Sequence, residues 1–407
     1  MTEPSLEIRT YSSLASLESL RGPWEDLLSG FPSATIFSTW EWLAPWWRAF
    51  GNGQQLRVLG FFDSGQRLVA LAPLSATTQR IPGAFKLKLL QLMGDGSSDS
   101  DNLDLPVLPG YEPAFAGTLL DLLQTDSIPW DVCYLNTLPS GSPAGNALLA
   151  DLKRRGWPAF THHIPCSAIE LPGSWEGYLK QLSSKERGKV GIRTRKLEKL
   201  YQVQYLKCAH QGELPGFLEA LFRLHQERWE PLGERGSFGD AARRQFYYEM
   251  SCLLLARDGL EFWLLHLDGK PVAAQFGFRH GDTVFSLQEG FDPAHSADSV
   301  GYVLRAHVLK QLIDRGTRRY DFLGGAGHNK GRWGAQAGNY VNLRFSRPRR
   351  PGSLYLHLVQ SRGQAKGWLR DHLPREAWLM LHRLNCKLRG IPDQKPGGRE
   401  AKSHKQS

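Results

Sequence analysis

Cysteine and methionine are scarce, at five and four of 407 residues. The cysteines (Cys133, Cys166, Cys208, Cys252 and Cys386) are odd in number and scattered. None forms a C-x-x-C pair or a Cys/His group at zinc-ligand spacing. This argues against a disulfide framework and a zinc site, and reduced, buried thiols are expected. No run approaches the roughly 18 uninterrupted apolar residues of a membrane helix. Met1 to Thr10 carries Glu3, Glu7 and Arg9 and has no apolar signal-peptide core, so a cytoplasmic protein is expected. A G-x-S-x-G elbow is also missing, and no cysteine sits in a nucleophile motif, so chemistry through a covalent triad is not expected.

What the chain does have is enough apolar residues for real cores: 41% hydrophobic against 22% charged. Its length suggests two domains and a tail. The net charge of +10 hints at nucleic acid, but its distribution says otherwise. From Ser346 onward there are 14 Lys+Arg and 4 Asp+Glu, so the tail carries the whole excess and the body is neutral. Such a tail suits an acidic membrane surface or an acidic partner.

Two segments resemble each other. Leu56 to Phe62 and Arg67 to Leu74 read as strands around Asp63-Ser64-Gly65. Leu260 to Leu267 and Pro271 to Arg279 read the same way around Asp268-Gly269. This weak repeat predicts two related α/β units with mixed sheets. The first spans 1–172 and includes a Gly/Ser/Asp-rich loop, Gly94 to Asp101. Pro172-Gly173-Ser174 forms the boundary, with Ser174 a helix N-cap. The second unit spans 173–346 and a basic, partly helical tail spans 347–407.

Chemistry is concentrated between Thr283 and Trp333. A strand (Thr283 to Glu289), a loop of small and polar residues up to Ser299, and a helix with Val300, Leu304, Val308 and Leu312 at four-residue spacing follow in order. A strand, loop and helix in this order form an anion site, because the free N–H groups and dipole of the helix start point into the loop. Ser299, Val300, Gly301 and Tyr302 are the candidates there. Lys330 and Arg332 follow the glycine-rich end of the next strand, where they would bind phosphate or a thioester oxyanion, or belong to a solvated loop. His225 has the pKa range of a general base, although a hydrogen-bonded structural histidine also accounts for it. Asp321 would be a base or would orient Lys330, although an ion pair or a cap also accounts for it. Seven basic residues between Lys185 and Lys199, Arg193 among them, would grip an anionic substrate or form a solvated helix face. The Trp40, Trp42, Trp46 and Trp47 cluster is either a sugar platform or, more simply, a helix packed on a sheet.

Several stretches resemble the GNAT superfamily of N-acyltransferases, and more narrowly the tandem-GNAT proteins of the CelD (cellulose biosynthesis) and FemAB type. Phe37-Ser38-Thr39-Trp40-Glu41-Trp42 with Trp46-Trp47 is similar to that family's N-terminal block, and Leu224-His225-Gln226-Glu227-Arg228-Trp229 to its H-x-x-R-W segment. Phe291-Asp292-Pro293 with Gly301 is similar to its Y-D-P…G loop. Tyr320-Asp321-Phe322-Leu323-Gly324-Gly325 with Lys330-Gly331-Arg332-Trp333 is similar to F-D-F-L-x-G…Y-K-x-x-W. The likeness covers roughly residues 6 to 345. The family's Tyr before the Lys is Asn329 here, and of the acetyl-CoA loop signature only Gly301 remains.

The resemblance implies an acyltransferase with its chemistry in the second unit and no metal. It would move an acyl group, acetyl first among them, from acyl-CoA to an amino or hydroxyl group of a small molecule or glycan precursor, with a link to exopolysaccharide or cellulose production. His225, Asp321 and Lys330 would be catalytic. Ser299 to Tyr302 and Arg332 would hold the donor, and Arg193, Arg228, Trp229 and Trp333 the acceptor. The alternatives are an aminoacyl-tRNA donor, as in FemAB-type relatives, or an inactive binding module. In the tail, Tyr355 to Val359 and Trp378 to Leu388 are expected to be helices that attach to an acidic surface. Deleting residues 349–407 is expected to leave turnover intact.

Overall fold

Two Asp-containing turns set the architecture. In the first, Asp63 Oδ1 accepts the N–H groups of Gly65 (2.9 Å) and Arg67 (3.0 Å), and Gln66 takes a left-handed φ of 62°. In the second, Asp268 (φ 50°) and Gly269 (φ 79°) are both left-handed, the conformation that matches strand twist in a two-residue hairpin. The structure, a computed structural model, describes residues 5–81, 86–97, 99–229, 237–325 and 328–372. Its strands are β1 (Glu7–Tyr11), β2 (Gln55–Phe62), β3 (Leu68–Arg80), β4 (Lys86–Leu92), β5 (Val132–Pro139), β6 (Ala159–Glu170), β7 (Val203–Lys207), β8 (Leu260–Leu267), β9 (Lys270–His280), β10 (Thr283–Phe291), β11 (Arg319–Gly324) and β12 (Gln336–Phe345). The helices used below are α1 (Leu14–Glu18), α2 (Arg21–Ser29), α3 (Trp40–Phe50), α4 (Glu112–Gln124), α5 (Pro143–Arg154), α6 (Trp175–Gln181), α7 (Ser184–Leu200), α8 (Leu214–Trp229), α9 (Ala241–Ala256), α10 (Val300–Asp314), α11 (His328–Gly331) and α12 (Pro351–His372).

All twelve strands form one mixed sheet in the order β1-β2-β3-β4-β5-β12-β6-β11-β10-β9-β8-β7. The order is a palindrome of two like halves. In each half three antiparallel pairings are followed by one parallel pairing, β4 with β5 and β10 with β11. The last strands are exchanged: β12 pairs with β5 of the first half, β6 pairs with β11 of the second, and the two pair with each other. The repeat in the sequence is therefore a repeat in the fold, a mixed α/β architecture of two like halves.

Helices α3 and α9, at like positions in the two halves, pack on each other. Trp42 is fully buried against Phe246 of α9 and Phe278 of β9, at ring distances of 5.1 and 5.4 Å. Trp40 and Trp46 are buried too, and the Trp42 and Trp46 indole N–H groups donate to Ser100 and Ser97. The tryptophan cluster is thus the seam between the halves and offers no open platform. A second core lies under α6, α7 and α10, with Tyr178, Leu197 and Val308 at its centre.

The start of the tail belongs to the fold. Leu356 of α12 is buried against Leu87, Leu89 and Val132. Gly352 sits so close to the chain that a Cβ there would lie 1.9 Å from the Asp131 carbonyl oxygen. A deletion from residue 349 would strip this cover from β4 and β5, which counts against the expectation that the cut leaves turnover intact. Trp378 to Leu388 and Cys386 lie outside the described residues. Among the described residues no helix is long and apolar enough to cross a membrane.

Candidate active site

Strands β10 and β11 pair over only three positions, Thr283–Phe285 with Arg319–Asp321. Beyond them β10 bulges between Ser286 and Gln288, and β11 turns away at Leu323, whose φ is 60°. The strands diverge into a wedge that opens on a cavity of about 640 Å³. Ten of the predicted site residues line it: Arg193, His225, Arg228, Ser299, Val300, Gly301, Tyr302, Lys330, Arg332 and Trp333. The other two differ. Trp229 ends α8 and its side chain is outside the described residues, while Asp321 is turned to the other face of the sheet.

Helix α10 starts at this cavity. Ser299 takes a left-handed φ of 58° and makes no side-chain cap; its carbonyl accepts from Tyr302 (2.9 Å) and Val303 (3.1 Å). The N–H groups of Val300 and Gly301 therefore have no intrahelical acceptor. A Cβ on Gly301 would meet only Phe291, at 3.8 Å, so the space beside this N–H pair is open. The Tyr302 ring lies between Trp333, at 4.4 Å, and the Arg193 guanidinium, also at 4.4 Å. Neither Arg193 nor Arg332 forms an ion pair with a carboxylate among the described residues, and both line the cavity.

The cavity is strongly cationic. Arg193, Arg228, Arg305, Lys330 and Arg332 face one carboxylate, Glu289. Glu289 is engaged by Arg305, which is buried over the rings of Phe322 and Trp333. Burial works against the Arg305 charge, but Glu289 outweighs it and holds the pKa above its ordinary value. Arg228 donates to the Glu289 carbonyl at 3.4 Å and lies over the Phe291 ring. Burial, then the charge of Arg305, pushes its pKa down.

Lys330 lines the cavity and is held by backbone. Its ammonium donates to the carbonyls of Phe322 (3.0 Å), Leu323 (3.2 Å), Gly324 (2.9 Å) and Gly325 (2.9 Å). The turn after β11 is wrapped around this cation, whose pKa burial lowers. Ala326 and Gly327, next in the turn, lie outside the described residues. Asp321 Oδ1 accepts from Leu323 N–H at 2.7 Å, and Oδ2 lies 3.4 Å from Arg319. Strand alternation explains its direction: Tyr320 and Phe322 share one face, with rings 4.9 Å apart, so Asp321 takes the other. Its contacts are those of an ion pair and a turn, and its charge also acts on Lys330.

His225 is buried on the cavity wall at 4% exposure. It is there because α8 lies directly on β10: a Cβ on Gly290 would come within 2.6 Å of the His225 backbone nitrogen. Burial, followed by the charges of Arg228 and Arg243, lowers its pKa to about 4, so the imidazole is neutral at pH 7. Sequence reasoning missed Arg305, Glu289, Gln288 and His295, which also line the cavity. Arg305 had a signal, since it follows Gly301 by four residues on α10 and so shares its face.

The first half has a matching wedge with an acidic loop beside it. β4 and β5 also pair over three positions, Leu89–Gln91 with Val132–Tyr134. The following loop carries Asp95, Asp99, Asp101 and Asp104, a charge opposite to what a phosphate needs. Asp101 reaches across to accept the Gly324 N–H at 2.8 Å, next to the Lys330 turn. Among the described residues no His, Cys, Asp and Glu side chains are grouped to hold a metal ion.

Comparison with known proteins places this geometry. Residues 184–331 match the family model described as acetyltransferase (GNAT) domain. The crystal structure of FemX superposes with a TM-score of 0.57 at 10% identity, covering 79% of this chain and 95% of FemX. A conserved protein of unknown function from Bacteroides thetaiotaomicron VPI-5482 superposes with a TM-score of 0.52 at 13% identity, over 84% of this chain and all of that one. No curated protein matches the sequence. The cavity, the wedge and the start of α10 thus lie in or beside a GNAT-type acetyltransferase domain, within a fold that this chain shares with FemX along most of its length.

Proposed function

We propose that the chain is an acyltransferase that binds acyl-CoA in its second unit, residues 173–346, and passes the acyl group to an amine or hydroxyl of a small molecule or glycan precursor. One observation carries this reading: the start of α10, without a side-chain cap, lines the same cavity as Arg193 and Arg332. The N–H groups of Val300 and Gly301, with those two guanidiniums, suit a pyrophosphate. The β11-facing edge of Gln288 to Phe291 has no strand partner among the described residues. An extended chain with amide groups, such as the pantetheine arm, would complete that ladder and carry the thioester inward.

A thioester is already activated, so holding donor and acceptor together supplies most of what is needed, roughly 7–11 kcal/mol of barrier. The acceptor amine attacks the carbonyl carbon, the C–S bond breaks, and CoA leaves as the thiolate. His225, buried on the cavity wall and neutral at pH 7, accepts the amine proton. Arg228 and Trp333 help to shape the acceptor side. Lys330 acts by holding the turn that forms the cavity floor.

Thermal unfolding with acetyl-CoA, longer acyl-CoAs and CoA tests this. A ligand at 100 times its Kd adds about 2.7 kcal/mol, a shift of several degrees at roughly 2–4 °C per kcal/mol. The shift is expected to vanish in Arg193→Ala/Arg332→Ala. No shift with any CoA ester would end the acyl-CoA reading. A second reading, aminoacyl-tRNA as donor, is favoured by the fold shared with FemX; binding of charged tRNA in place of CoA esters would establish it.

A further inference from the structure

Helix α7 carries Arg193 to the cavity on one side and shows an unusual outer face on the other. Val190 and Leu197 are buried beneath it, while Ile192 is 62% exposed and Leu200 57% exposed. Helical spacing puts Ile192 on a common face with Lys189, Arg195, Lys196 and Lys199, three, three, four and seven residues away, and with Lys185 seven residues before it. Lys185, Arg195, Lys196 and Lys199 are exposed. Lys189 pairs with Glu186 and Lys196 with Asp298. Lys185, Arg187, Arg195 and Lys199 form no ion pair among the described residues, and Glu198 is the one exposed acid on the helix.

An isolated exposed aliphatic residue is ordinary. An isoleucine in the middle of a ring of cations is a specific combination. Water does not favour it, and neither does a single-stranded nucleic-acid groove, where cations are joined by aromatic rings that stack on bases. The outer face of α7 has no aromatic residue. An anionic bilayer meets both demands: headgroup phosphates take the cations, and the headgroup–acyl boundary takes the apolar side chain. We infer that the outer face of α7 docks this protein on an anionic phospholipid surface, with Ile192 and Leu200 at the acyl boundary. The cavity rim, formed in part by Arg193 of the same helix, then lies at the level of the headgroups.

The test is co-sedimentation of the full chain with phosphatidylcholine vesicles, with and without phosphatidylglycerol. Using the full chain keeps the basic tail constant across variants. Binding is expected only with phosphatidylglycerol. Lys185→Ser/Arg195→Ser/Lys199→Ser is expected to weaken it about a hundredfold, at about fivefold per cation near an anionic surface. Ile192→Ser is expected to weaken it about tenfold through lost apolar burial. Both variants should keep the wild-type melting temperature and the acyl-CoA shift. Loss of vesicle binding with that shift intact is the signature of the docking face, and vesicle binding without any acyl-CoA shift would overturn only the proposed donor. Equal sedimentation of wild type and triple variant overturns the inference. So does an Ile192→Ser variant that binds vesicles normally while the triple variant loses only a duplex RNA probe.

Discussion

The phenol of Tyr247, on α9 of the second half, donates to Asp99 Oδ1 of the first-half loop at 3.0 Å, with both residues buried. Asp99 Oδ2 lies 3.2 Å from Arg243 Nε. Burial raises the Asp99 pKa, and Arg243 and Tyr247 work against that rise. The loop that matches the α10 site in the first half has thus become a strut between the halves.

Removing one partner of a buried hydrogen bond strands the other, which costs about 1–3 kcal/mol. Tyr247→Phe is therefore expected to lower the melting temperature by several degrees, at roughly 2–4 °C per kcal/mol. In a double-mutant cycle with Asp99→Ala, which removes the acceptor, the coupling should be about 0.5–3 kcal/mol, as for residues in contact. Additive effects would show that the two residues stabilise the protein separately.

Lys330 separates a structural cation from a phosphate ligand. With four carbonyls around its ammonium, Lys330→Met is expected to destabilise the free protein, since hydrogen bonds to charged groups contribute about 1.5–3 kcal/mol each. Lys330→Arg should rescue poorly, because a planar fork cannot follow a curled turn. If Lys330 gripped the donor instead, Lys330→Met would melt like wild type without ligand and lose the acyl-CoA shift. One pair of melting scans decides between them.

Local patterns carried much of the fold and the site. The paired hairpins revealed the repeat, and the run from Thr283 to Gly301 marked the cavity. The exchange of β6 and β12 was hidden, because a strand's pattern shows its pleat and not its partner. Alternation told that Tyr320 and Asp321 face opposite ways, but only packing of Tyr320 against Phe322 shows which side meets the cavity. The Lys330 turn needs a left-handed Leu323, which no leucine advertises. The Gly/Ser/Asp-rich loop from Gly94 to Asp101 carries no sequence sign of its partners, yet Asp99, and Asp104 just beyond it, are buried by residues far away in sequence.

Asp104 gives the fold a pH dependence of its own. It is 3% exposed, and burial raises its pKa to about 7, against the pull of the Ser142 hydroxyl (2.6 Å) and the Leu105 N–H (2.8 Å). A carboxyl whose pKa is raised on folding binds its proton better in the native state. Its contribution to stability therefore falls as pH rises from about 4 to about 7 and is level above that. Asp104→Asn keeps an acceptor for both donors and never ionises. It is expected to stabilise the protein at pH 8 by up to about 4 kcal/mol, at 1.36 kcal/mol per pKa unit, and by progressively less toward pH 5. Melting temperatures of the two proteins across that range check it. A gain that is the same at pH 5 and pH 8 would mean that Asp104 does not hold a proton in the folded state, and that the asparagine acts through packing alone.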